Sequence, residues 1–206
     1  MSFLDHTRRP AGLGGKLMVR VMNLGHRSLT RWGLSQLPDA RYREILDCGC
    51  GGGAAIRRLL RAYPQSTVQG VDYSAVSVQT ARRVNRRAIA AGRCGIETAR
   101  VMQLPFEAER FDLVTAFETV YFWQDLAGSF SEIFRVLAPG GTLLICNECG
   151  GAPGGARWEQ VVSGMHVYAP EELHTVLERS GFQTMQVFEN KQGWLCVIAR
   201  KEGKLQ

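Results

Sequence analysis

Apolar positions along this chain recur in two periods, and the switches between them divide it into strands and helices. Ile45-Leu46-Asp47-Cys48, Thr67 to Asp72 and Phe111 to Ala116 read as short buried strands, with a weaker one near Ile96 to Met102 and a fifth over Thr142 to Asn147. Helical patterns lie between them. Ala54 to Ala62 is closed by Tyr63-Pro64, and Ser74 caps a helix predicted to run to about Ala91. Over Leu126 to Leu137, the residues Phe130, Ile133, Phe134 and Leu137 form a core-facing stripe at i, i+3, i+4, i+7. Pro170-Glu171-Glu172 opens a last helix and Ser180-Gly181 closes it. Phe182 to Phe188 and Trp194 to Ala199 are two strands whose joint, residues 190–193, is too short for a crossover, so they are antiparallel. Residues 149–157 are glycine-rich and predict a loop. Ahead of the first strand, Lys16 to about Leu37 predicts one or two helices, interrupted near Gly25 and stopped by Pro38. Alternating strand and helix is the pattern of a parallel α/β sheet covered on both faces.

At 206 residues the chain suits one domain, so we divide it into a helical lid segment over 1–40 and a main domain over 41–206. No apolar run approaches the roughly 20 residues of a membrane span, and Met1 to Arg9 lacks the apolar stretch of a secretory signal, so a cytoplasmic location is expected. The net charge of +6 comes mainly from arginine, with one cluster at Arg57, Arg58 and Arg61 and another at Arg82, Arg83, Arg86 and Arg87. Such faces are either solvated helix surfaces or seats for a phosphate backbone, which keeps a protein that binds or acts on RNA as an alternative. Of six cysteines, only Cys146 and Cys149 have the spacing of a zinc knuckle. Lacking a second knuckle, they read as buried small hydrophobes, and no metal is expected.

The chemistry concentrates where the first strand ends, at Asp47-Cys48-Gly49-Cys50-Gly51-Gly52-Gly53. A strand, a tight glycine turn and a helix make a nucleotide cradle, with backbone amides at the helix start facing the ligand. Gly49 to Ala54 also satisfies the dinucleotide fingerprint, and Asp72 at the end of strand two stands where either ligand presents ribose hydroxyls. Asp47 separates the two readings. A carboxylate at the mouth of the loop repels a pyrophosphate, whereas S-adenosylmethionine brings a sulfonium and an ammonium that it attracts. A nicotinamide-dependent oxidoreductase is thereby disfavoured.

These residues stand in a longer series: Asp47-x-Gly49-x-Gly51-x-Gly53, Gly70-Val71-Asp72-Tyr73-Ser74, Leu104-Pro105-Phe106, Phe111-Asp112-Leu113-Val114, and Arg135-Val136-Leu137-Ala138-Pro139-Gly140-Gly141. In that order they resemble class I S-adenosylmethionine-dependent methyltransferases, most nearly the group that includes the ubiquinone/menaquinone-type enzymes. The resemblance implies a Rossmann-like, seven-stranded, mostly parallel sheet in the order 3-2-1-4-5-7-6 with an antiparallel last strand. It implies that Asp47, Gly49, Gly51 and Gly53 hold the methionine end of S-adenosylmethionine and Asp72 the ribose. Tyr73 and Ser74 would flank the adenosine, Gln103 and Leu104 would lie near adenine, and Phe117 would border the sulfonium. The family often carries an acid before the Leu-Pro-Phe segment; here that place falls near Arg100, which leaves adenine to backbone groups and Gln103.

In open α/β sheets ligands lie beyond the carboxyl ends of the strands. That rule collects Glu118, His26 and His166 as candidate bases, and Tyr121, Trp123, Asn147 and Asn23 as candidate acceptor contacts. In the run Phe117 to Trp123, we expect Phe122 to be core and Tyr121 and Trp123 to wall a pocket for an apolar or aromatic small molecule. The expected activity is in-line methyl transfer to a small-molecule acceptor rather than to nucleic acid, driven mainly by alignment and aided by a base where the nucleophile is oxygen or nitrogen. The N-terminal helical segment is expected to close over the cofactor.

Overall fold

A computed structural model of the chain describes residues 26–150 and 155–203. Seven strands, β1 (Glu44–Cys48), β2 (Thr67–Asp72), β3 (Cys94–Thr98), β4 (Phe111–Phe117), β5 (Leu137–Asn147), β6 (Thr184–Glu189) and β7 (Leu195–Arg200), form one sheet in the order β3-β2-β1-β4-β5-β7-β6. Neighbours from β3 through to β5 pair in parallel, and β7 runs antiparallel to both β5 and β6. This is the expected topology. Among the described residues seven α-helices accompany the sheet: α1 (Arg27–Ser35), α2 (Ala54–Ala62), α3 (Ala75–Val84), α4 (Arg86–Ala90), α5 (Leu126–Val136), α6 (Gly155–Val161) and α7 (Pro170–Arg179).

Successive strand residues face opposite ways, and both faces are covered, so β1, β4 and β5 are apolar almost throughout. Leu46, Val114 and Ile145 pack with Phe130, Ile133 and Leu173, the side of α5 and α7. Ile45, Leu113 and Leu144 pack with Leu29, Ile56, Leu59 and Val78, the side of α1, α2 and α3. Each such fully buried side chain contributes about 1.5–3 kcal/mol.

Several boundaries differ from the sequence reading. The third strand sits earlier than Ile96 to Met102, because residues 100–103 close a tight turn instead. The helix expected to reach Ala91 breaks at Asn85, whose buried side-chain amide donates to Gly53 O (2.9 Å) and Ala81 O (3.0 Å). Strand five begins at Leu137, directly out of α5, rather than at Thr142. The loop expected to end at 157 gives way to α6. Residues 1–25, including Asn23 and most of the lid segment, lie outside the described residues.

Arg93 fixes the end of the molecule opposite the loop. Its guanidinium donates to the carbonyls of Leu60, Tyr63 and Ser66, holding the carboxyl end of α2 against the start of β2. The amino end of α2 is thereby kept pointing across the sheet's carboxyl edge.

Candidate active site

At that edge the glycine loop, the ends of β2 and β4, α1 and residues 99–102 enclose one pocket. The loop's three odd-numbered glycines all take positive φ, a region that L side chains enter at a cost. Gly49 abuts Thr119, and Gly53 is the N-cap of α2, pressed on Ala81 and Asn85 of the α3 end. Gly51 differs: a Cβ there meets nothing within 4 Å and would project into open space. Gly49 and Gly51 line the pocket, while Gly53 stands behind it as packing.

Asp72 ties the loop to the sheet. Its Oδ2 accepts from Gly51 N (2.9 Å) and its Oδ1 from Ser74 N (2.8 Å). The Ser77 hydroxyl also bonds this carboxylate, which at the pocket wall still has acceptor capacity for a ligand hydroxyl. Burial raises its pKa despite those amides. Asp47, only 1% exposed, receives the Thr115 hydroxyl on Oδ1 at 2.7 Å, and its Oδ2 is buried without a partner among the described residues. Burial lifts this carboxyl to about 7, with the charge of Asp72 adding to the shift. A buried carboxylate oxygen lacking a donor, on a pocket wall, is chemically matched to an ammonium.

Ser74 caps α3, its hydroxyl accepting from Ser77 N, and it does not line the pocket; Ser77 and Tyr73 do. The expected adenine contacts are also displaced. Gln103 is exposed, and Leu104 is buried in the core with its N–H donated to Glu132. The Arg100–Gln103 turn instead presents Ala99, Arg100, Val101 and Met102 to the pocket.

Beyond β4 the chain bends sharply. Glu118 has φ +57, a strained value for a side chain this large. The bend places its carboxyl in the pocket wall, where Oε1 accepts from the Glu148 amide and lies 3.3 Å from the Tyr121 hydroxyl. Burial, and then the charge of Glu148, push it up to about 8. Its Oε2 stands 3.9 Å from His26 Nε2. Burial lowers the His26 pKa, so at neutral pH the two groups face each other as a carboxylic acid and a neutral imidazole. His26, Glu118 and Glu148 offer donor atoms within 4.8 Å of one another. Sequence spacing does not bring Glu148 to Glu118; the pairing of β4 with β5 does.

Tyr121 and Phe122 exchange the places expected of them. Val120–Phe122 is a 3₁₀ turn, which buries Tyr121 to 2% exposure and turns Phe122 into the pocket. Tyr121 serves the site indirectly, its hydroxyl bridging Glu118 and the Cys149 amide. Trp123 and Phe117 do line the pocket, Trp123 braced edge-on by Phe130 at 5.6 Å. Asn147 is fully buried behind the wall, its side-chain amide without a partner among the described residues. His166 is not at the pocket; its exposed ring pairs with Glu159 at 3.0 Å and stacks on Tyr168. Thr30 and Thr119 also line the pocket, and nothing local in the sequence marks them; Arg58, which the sequence marks only as part of a charged helix face, lines it too.

A family model described as a methyltransferase domain matches residues 46–145. The chain is 25% identical over 192 residues to an O-methyltransferase of Pyrenophora dematioidea, covering 90% of this chain and 72% of that protein. It is 30% identical over 169 residues to an O-methyltransferase of Penicillium expansum, covering 80% and 60%. The chain therefore spans between 60% and 72% of these two relatives' lengths. Its fold superposes with a TM-score of 0.73 on the geranyl diphosphate C-methyltransferase of Streptomyces coelicolor A3(2), at 16% identity, covering 84% of this chain and 75% of that one. That enzyme was solved with Mg2+, geranyl-S-thiolodiphosphate and S-adenosyl-L-homocysteine. The sheet order and the loop agree with these likenesses, and residues 46–145 of this chain are similar to a methyltransferase domain.

Proposed function

We propose that this chain transfers the methyl group of S-adenosylmethionine to a small acceptor with an apolar or aromatic body. The Oδ2 of Asp47, without a partner among the described residues and buried in the wall of a pocket that Gly51 leaves open, carries the reading. In it, Asp47 holds the cofactor's ammonium, Gly49 and Gly51 the methionine backbone, Asp72 the ribose hydroxyls, and Tyr73 with Ala99–Met102 the adenine. The cofactor supplies an electrophilic methyl on a sulfonium. Phe117 offers that charge an aromatic edge of the pocket, and Phe122 and Trp123 wall the acceptor. Alignment supplies most of the rate.

Where the acceptor atom is oxygen or nitrogen, His26 is the base that the geometry favours. It is neutral at neutral pH, whereas Glu118 already holds its proton. Glu118, 3.9 Å away, packs beside His26 and helps to orient its ring. Residues 26–40 flank the pocket in this reading, with Thr30 of α1 and His26 at its N-cap in the wall. The finer likeness to ubiquinone/menaquinone-type enzymes belongs to the same proposal, as does a small molecule rather than RNA as acceptor. Among the described residues no helix is long and apolar enough to cross a membrane.

Calorimetry with S-adenosylmethionine tests the reading. Micromolar binding is expected, and its absence would sink it. Asp72→Ala should then weaken binding tenfold or more, as a charge-assisted hydrogen bond contributes about 1.5–3 kcal/mol.

A further inference from the structure

The interior of the pocket is acidic, with Asp47, Asp72 and Glu118 on its walls, but its lip is basic. Arg58 lines the pocket from α2, and its Nη1 donates to Ala54 O at 3.1 Å, which curls the side chain back toward the loop. Arg27 and Arg31 of α1 and Arg57 and Arg61 of α2 surround it. Partial burial, followed by the repulsion of those four charges, lowers its pKa. Arg27, Arg31, Arg57 and Arg61 are exposed. Among the described residues none of the five has a carboxylate within ion-pair reach. The preceding 25 residues offer little compensation in charge, with Arg8, Arg9, Lys16 and Arg20 against Asp5.

Five like charges on two packed helices oppose that packing, and a bound anion would relieve them. One carboxylate is satisfied by a single forked guanidinium. The ridge goes further, from Arg58 in the pocket wall to four exposed arginines on the two helices, so its field extends beyond what one cofactor carboxylate would need.

We propose that the acceptor is a small amphiphilic acid, whose apolar body lies against Phe122 and Trp123 and whose carboxylate or phosphate is received at the Arg58 lip. This rests on the methyl-transfer reading above.

The test uses the full chain saturated with S-adenosylhomocysteine and titrated with octanoate, octyl phosphate and neutral octanol. The two anions should bind about tenfold or more tighter than octanol at about 0.05 M salt, with the advantage shrinking toward nothing at about 0.5 M. Arg58→Gln with Arg61→Gln should abolish the preference, while Arg58→Lys with Arg61→Lys should retain much of it. Equal binding of octanol and the acids would overturn the proposal, as would a preference that survives the glutamine variants. So would an Arg58→Gln protein that loses tenfold in affinity for S-adenosylmethionine but nothing for its decarboxylated analogue, since Arg58 would then serve the cofactor's own carboxylate. A short single-stranded RNA that binds through these arginines where octyl phosphate does not would overturn it too. Should S-adenosylhomocysteine itself fail to bind, the methyl-transfer reading falls first; with it bound, a missing anion preference removes this proposal alone.

Discussion

Binding of S-adenosylhomocysteine should eject a proton from Asp47. Burial holds this carboxyl at about 7 in the empty pocket, and its Oδ2 has no donor. At about pH 6 it is therefore roughly nine-tenths protonated. An ammonium brought to Oδ2 favours the charged form and should return the pKa toward the ordinary value of about 4. Roughly 0.9 proton should then leave on binding at about pH 6, falling to about 0.1 at about pH 8. The same linkage makes binding about tenfold tighter at pH 8 than at pH 6, because the ionised fraction rises by that factor. Calorimetry in buffers of different ionisation enthalpy measures the release as a slope. The difference between the wild-type protein and Asp47→Asn isolates this residue from His26 and from Glu118, which, held near 8, keeps its proton at about pH 6 and is about half ionised at about pH 8. A wild-type slope near zero at pH 6, or the same slope in Asp47→Asn, would refute the reasoning.

In the absence of ligand, stability should fall as pH rises from about 4 to about 8, followed by thermal melts. The sign is set by Asp47 and Glu118, whose folded values of about 7 and about 8 lie above their ordinary 3.8 and 4.5, so the folded chain binds more protons across that window. The contribution is whole below the lower values and lost through the upper ones; a flat melting temperature would count against both shifts. Phe130→Ala should cost about 3–5 kcal/mol and lower the melting temperature by about 10 °C, since the ring is fully buried and braces Trp123. A loss under about 1 kcal/mol would show that α5 closes the cavity. Gly53→Ala combines φ +76 with a Cβ 2.9 Å from the Ala81 backbone, and should lose about 2 kcal/mol or more in denaturant melts. An unchanged midpoint would mean that the loop relaxes freely.

The sheet was legible because its strands are buried on both faces and are punctuated by Gly, Pro and Ser-Gly signals, as at Pro64 and Ser180-Gly181. The weakest strand signal is that of β3, because Cys94–Thr98 has one buried face at an edge, whereas Ala99–Met102 is more apolar in sequence yet turns. The loop and Asp72 were legible because their chemistry is local and their spacing fixed. The far wall was not. Glu148 reaches Glu118 only through strand pairing, and Arg58 reaches the pocket by curling back along its own helix. The aromatic run misled because a 3₁₀ turn, rather than strand or α-helix periodicity, decides which of Tyr121 and Phe122 faces inward. His166 was drawn in by its place after the glycine-rich loop, and α6 instead pairs it with Glu159.

The bend at Glu118 sets a trap for anyone seeking a hardier version of this protein. Glycine or asparagine would accept φ +57 more readily than glutamate does, by on the order of 1 kcal/mol. Both would also remove a buried acid that faces Glu148. A library ranked on heat resistance alone should therefore enrich replacements at 118 early. Its winners would outlast the parent on heating while losing the group that orients His26, so selection for survival and selection for turnover would diverge at this one position.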